Sequence, residues 1–203
     1  SSTYQPDETT SAASAATKCS KRFRSDVGAT TRTGRRSPPS LAGGTNYAFG
    51  GARVANNGVF SGPSFDAIPD LGLQVSAYLA GAGGVADPTG LYVVTATGND
   101  VFAMESGRIK GLSQAAYIEL VVDTLETNLL ALDAAGAGTI LLTGVPNAGV
   151  ASAIALETAI QARLATLSLQ AELLQFSFFE FFNTVLTDPA ALGLPPQDTD
   201  NIC

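Results

Sequence analysis

The chain is 203 residues long, enough for one α/β domain with a substantial core. It is 45% hydrophobic and 14% charged, which is a globular composition and not a disordered one. A formal net charge of -7 argues against a nucleic-acid partner, and the lack of any 18-residue apolar run predicts no membrane-spanning segment.

Residues 1–38 are rich in Ser, Thr and basic groups. Lys18, Lys21, Arg22, Arg24, Arg32, Arg35 and Arg36 are seven of the chain's 11 basic residues. Apolar periodicity is absent, so a poorly ordered segment is expected. A basic arm for nucleic acid or an anionic membrane lacks the interleaved aromatics that such binding uses. The opening SSTYQPDETT is polar, shows no signal peptide and has no initiator Met, so a processed or truncated chain is expected. Cys19 and Cys203 lie near opposite ends, and their pairing stays open. With no histidine and no CxxC pair, no zinc site and no cofactor are expected.

From residue 39 the pattern becomes that of a folded domain, taken here as 39–203. Residues 74–80 read as a helix. The following GAGGVA fits G-x-G-x-x-A, but a helix precedes it and a strand follows, so it reads as a loop and not a dinucleotide site. Residues 91–97 form a β-branched apolar run between Gly90 and Gly98, a buried strand. Residues 112–134 carry Ile118, Val121, Val122, Leu125, Leu129 and Leu132 at helical spacing, with Glu119, Asp123 and Glu126 on the other side. Residues 139–145 form a second strand ending at Pro146. A strand, a long helix and another strand predict a βαβ unit and a parallel sheet.

A second long helix is expected over 150–173, with Ile160, Leu164, Leu167, Ala171 and Leu174 as its apolar stripe. A short strand over 173–177 and a helix over 178–186, stopped before Pro189, follow. Phe176, Phe178, Phe179, Phe181 and Phe182 read as core. The tail LGLPPQDTDNIC reads as a loop.

The chemistry is expected at two glycine-bearing segments. Gly98-Asn99-Asp100 follows the first strand, and functional groups of a parallel sheet collect at strand carboxyl ends. The Asn99 amide offers neutral donors to a developing oxyanion. Gly98 permits a tight turn, and Asp100 caps the next helix or orients the loop. Gly50-Gly51 follows Asn46-Tyr47-Ala48-Phe49, and adjacent glycines expose a backbone N–H, the other common oxyanion donor. Taken singly, a helix cap explains the first segment and a β-turn the second.

Together, in this order and about 48 residues apart, NYAFGGA and TGND resemble the second and third sequence blocks of the SGNH (GDSL-type) ester hydrolase family. Thr97-Gly98 stand where Gly-Ala is usual in that family. ADPTGLYVV, ILLTGVPNAG and FSFFEFFNTVLTDPAALGL resemble its further strands and loops, so the likeness spans roughly 39–203 and is nearest to secreted and autotransporter-type members. The G-D-S-L and D-x-x-H blocks are missing. Arg24-Ser25-Asp26-Val27-Gly28 matches only a trailing S-D-V-G and is a coincidence.

The resemblance implies a flavodoxin-like, three-layer α/β fold with helices on both faces of a parallel sheet, incomplete at both ends. It implies hydrolysis of a small-molecule or lipid ester, outside the cell or at its surface. Gly51 and Asn99 would hold the oxyanion, supported by Gly50, Gly98 and Asp100. The Ser nucleophile and His base of that chemistry are not in the chain, so the chain alone is expected to be inactive. The abrupt change in composition at residues 39–42 suggests that 1–38 is not native family sequence and arose from a frame change. Loss of the opening strand would expose sheet edges and favour aggregation. Two other readings are a non-catalytic binding or structural module on the same scaffold and a nucleotide-binding doubly wound domain.

Overall fold

The computed structural model describes residues 39–55, 68–95, 97–109, 111–146 and 149–194. The expectations for 1–38, for the Cys19–Cys203 pair and for the end of the tail lie outside these residues.

Among the described residues five α-helices and three strands follow one another in α/β order. Helix α1 (Leu71–Gly81) starts three residues earlier than its periodicity suggests, because Asp70 caps it by accepting from the Leu73 N–H. Strand β1 is Leu91–Thr95. Helix α2 (Gly98–Glu105) comes next, then α3 (Gln114–Ala134), capped by the Ser113 hydroxyl. Strand β2 is Thr139–Thr143, α4 is Ala151–Leu164, β3 is Glu172–Phe176 and α5 is Phe178–Thr187.

The strands form one parallel sheet in the order β1-β2-β3. Val94 lies opposite Leu142, and Val93, Leu141 and Leu174 share one row. Right-handed crossovers that step in one direction put their helices on one face of the sheet. Accordingly α3 packs against α1 and α4, and α2 packs against α3 and α4. The sheet face carrying Val94, Ile140 and Leu142 is buried in the same core as Val121, Leu125, Leu129 and Leu156. Burying one of these aliphatic side chains stabilises the fold by about 1.5–3 kcal/mol. Arg163 of α4 reaches Asp123, Glu126 and Glu119 of α3 and ties the two helices at the surface.

The second long helix is shorter than expected. It ends at Leu164, not 173, because Asp133 at the end of α3 accepts the N–H groups of Gln170 and Ala171 and draws the chain out into β3. Ala171 and Leu174 therefore belong to the strand and its approach.

The phenylalanine cluster is not core. Phe176, Phe181 and Phe182 are 39%, 37% and 40% exposed. Phe176 packs edge-on to Phe178 and touches Phe181, while Phe178 stacks on Phe182. The rings shield one another because the sheet face below them has no helical layer among the described residues. Leu91 and Val93 on that face are 58% and 57% exposed.

Candidate functional site

The turn after β1 builds the candidate site. Thr97 is buried and holds φ 83, the one non-glycine residue with positive φ among the described residues. For an L residue that conformation costs roughly 1–2 kcal/mol, whereas glycine adopts it freely. Gly98 opens α2, and a methyl group on it would meet Pro146 Cγ at 3.0 Å. The loops after β1 and β2 thus touch at the carboxyl ends of the strands.

Asn99 is half-buried on the first turn of α2. Its Nδ2 donates to the Ala52 carbonyl at 2.8 Å. Ala52 follows Gly51, and backbone reach keeps the Gly51 nitrogen within about 7 Å of the Ala52 oxygen. Asn99 thus anchors on the residue that follows Gly51, although 48 residues separate Asn99 from Gly51 in sequence. One Asn99 amide proton is committed to Ala52, and the other has no acceptor among the described residues. Gly51 holds φ 84, and a methyl group there would come 2.9 Å from Ile68 Cδ1, so this turn accepts only glycine without strain. Gly50 is exposed and has nothing within 4 Å of its missing side chain.

Asp100 is fully buried and does not cap its own helix. Its Oδ2 accepts from the Val54 N–H at 2.9 Å, and its Oδ1 from the Ala55 N–H at 3.3 Å and the Tyr117 hydroxyl at 2.9 Å. It orients the 52–55 segment. Burial pushes its pKa up to about 6, against the downward pull of those three donors and the Arg53 charge.

Tyr117 comes from α3 and is also fully buried. Its hydroxyl lies 3.0 Å from the Ala55 carbonyl and receives Arg53 Nη1 at 3.3 Å. Burial is the main cause that raises its pKa, followed by the neighbouring Asp100 charge. Arg53 also donates to the Arg108 carbonyl at 3.3 Å.

Two more carboxylates act nearby as structural acceptors. Glu157 accepts the Val145 N–H at 2.8 Å, and Glu105 accepts from Ser152.

The sequence singles out Gly51, Asn99, Gly50, Gly98 and Asp100. It does not single out Arg53 or Tyr117. Tyr117 sits in the apolar stripe of α3, where a tyrosine reads as packing. Arg53 gives a faint signal, a lone cation in the apolar string GARVA. Among the described residues no group of His, Cys, Asp and Glu gathers for a metal, and no helix is long and apolar enough to cross a membrane.

Fold and site together define an α/β parallel-sheet domain with a polar cluster at the carboxyl ends of its strands. No protein-family model matches the chain, and neither does any curated protein.

Proposed function

We propose that this chain carries the oxyanion-binding part of an SGNH-type carboxylic ester hydrolase. The observation that carries the reading is the Asn99 amide anchored on Ala52, next to the glycine turn at Gly51. The oxyanion of a tetrahedral intermediate would sit between the Gly51 N–H and the second Asn99 N–H. Both donors are neutral, so they keep their protons across the working pH range. The substrate is a small-molecule or lipid ester, met outside the cell or at its surface.

The finer architecture belongs to the same proposal. A sheet stepping β1-β2-β3 with its crossovers on one face is one half of a flavodoxin-like doubly wound sheet. Strands β1 and β2 carry apolar side chains on both sides, which suits burial on both sides. Contact of Phe176 with Phe181 turns α5 toward the open face, where a second helical layer would lie.

The chemistry needs a serine nucleophile and a base. The chain has no histidine, so the base comes from outside these 203 residues. Losing either group of a serine hydrolase costs on the order of a millionfold in turnover. Hydrolysis of p-nitrophenyl butyrate by this chain is therefore expected at the buffer rate. Titration with a short alkyl phosphonate should shift the Gly51 backbone and Asn99 side-chain amide resonances, and Asn99→Ala should abolish that binding. A probe that moves neither resonance would sink the proposal.

The missing histidine also favours a second reading, a non-catalytic binding module on the same scaffold. Coding sequence beyond residue 203 separates the two. A D-x-x-H block supports the hydrolase, and a stop codon supports the module.

A further inference from the structure

The first turn of α2 grips the 52–55 segment at two points, Asn99 at Ala52 and Asp100 at Val54 and Ala55. The second grip depends on charge. A carboxylate is acceptor-only, and here three donors converge on its two oxygens. A protonated acid must place one O–H among those donors. Protonation on Oδ2 sets that O–H against the Val54 N–H. Protonation on Oδ1 lets Tyr117 turn its own proton to the Ala55 carbonyl and accept from the acid, but then Ala55 N–H faces a neutral hydroxyl oxygen, a weaker acceptor. Either way at least one backbone N–H bond is weakened.

We propose that Tyr117 and Arg53 are positioning residues for the Gly51–Asn99 donor pair, acting through Asp100, whose carboxylate holds the 52–55 segment fully only while ionised. Tyr117 gives Asp100 a side-chain hydrogen bond, and Arg53 in turn donates to the Tyr117 hydroxyl. Arg53 from the segment and Tyr117 from α3 are the titratable side chains acting on Asp100. Both favour the ionised form, while burial opposes it and brings the transition to about pH 6. The role as a support for an oxyanion site rests on the proposed hydrolase reading; the grip itself does not.

The experiment follows amide hydrogen exchange in the 203-residue chain by NMR between pH 7.5 and 5, corrected for intrinsic rates. In the parent, exchange at Val54, Ala55 or both should rise about tenfold through a midpoint near pH 6, the loss expected for one hydrogen bond. The Asn99 side-chain amide should shift with the same midpoint. Tyr117→Phe, which keeps the ring, should move the midpoint to higher pH, because the ionised form loses a donor. A packing role alone would not move it. Asp100→Asn should exchange at pH 7.5 as the parent does at pH 5, with no midpoint.

Parent amides that ignore pH, or a Tyr117→Phe midpoint equal to the parent's, overturn the proposal. If the amides respond as expected and the phosphonate fails to bind, the hydrolase reading fails while the grip stands.

Discussion

Gly138 lies just before β2, and alanine there should be among the most damaging small substitutions in the molecule. The added methyl would fall 2.0 Å from the Pro88 carbonyl oxygen. Ordinary contact needs 3.4 Å or more, so two stretches of backbone must part by over an ångström. Neither stretch is free to move. The Pro88 turn is fixed by Asp87, which accepts the Thr89 N–H and hydroxyl at 2.8 and 2.7 Å and the Gly90 N–H at 3.0 Å. Gly138 is fixed through its own carbonyl, which accepts the Glu172 N–H at 2.9 Å. Overpacking a core with an extra carbon costs about 1–3 kcal/mol, and a clash between two backbones belongs at or above the top of that range. At roughly 2–4 °C per kcal/mol for a chain of this size, Gly138→Ala should lower the melting temperature by about 6–12 °C. Thermal melts followed by circular dichroism at 222 nm would measure it. Two alanine substitutions calibrate the result. Gly136 has φ 95 and an open surrounding, so Gly136→Ala should show backbone strain alone, about 1–2 kcal/mol. Gly50 has neither positive φ nor a neighbour, so Gly50→Ala should melt with the parent. If Gly138→Ala also melts with the parent, the close approach of the β1 entry turn to β2 is wrong.

The buried Asp100 also sets a pH dependence of stability. Its pKa rises from 3.8 to about 6 on folding, so the folded state binds the proton more tightly. The stability it contributes is fully present below pH 3.8 and lost as pH rises through about 6. The size is on the order of 3 kcal/mol. Relative to Asp100→Asn, the parent should therefore gain melting temperature between pH 7 and pH 4, while exchange at Val54 or Ala55 becomes faster. Parallel melting curves for the two proteins would refute this. At the start of α1, Asp70→Ala should cost about 1 kcal/mol through the lost bond to the Leu73 N–H, read as a fall in denaturation midpoint at unchanged slope. No change in midpoint would show that the cap carries no weight.

Much of the fold is legible because its signals are local. The spacing of Val121, Leu125 and Leu129 marks the buried face of α3, and β1 and β2 stand out as apolar runs between turn residues. Their order predicts the parallel sheet. The periodic stripe of α4 misleads past Leu164, since Ala171 is apolar and in phase. What ends the helix is Asp133, 37 residues upstream of Gln170. The phenylalanines mislead in another way. Their hydrophobicity says only that burial would be favourable, not that a layer is there to bury them.

The candidate site divides along the same line. The sequence by itself determined the residue types, a glycine pair and an Asn-Asp step at a strand end, because backbone conformation and strand termination are read from neighbours in the chain. Only the tertiary structure decided who meets whom. It set Asn99 on Ala52, gave Asp100 to the Val54 and Ala55 amides, and brought in Tyr117 and Arg53, which lie 17 and 47 residues from Asp100 in sequence. A hydrogen bond across such a gap leaves no periodic trace. It exists because packing α2 against α3 removes water from one carboxylate, and the donors that replace that water are whatever the fold carries there.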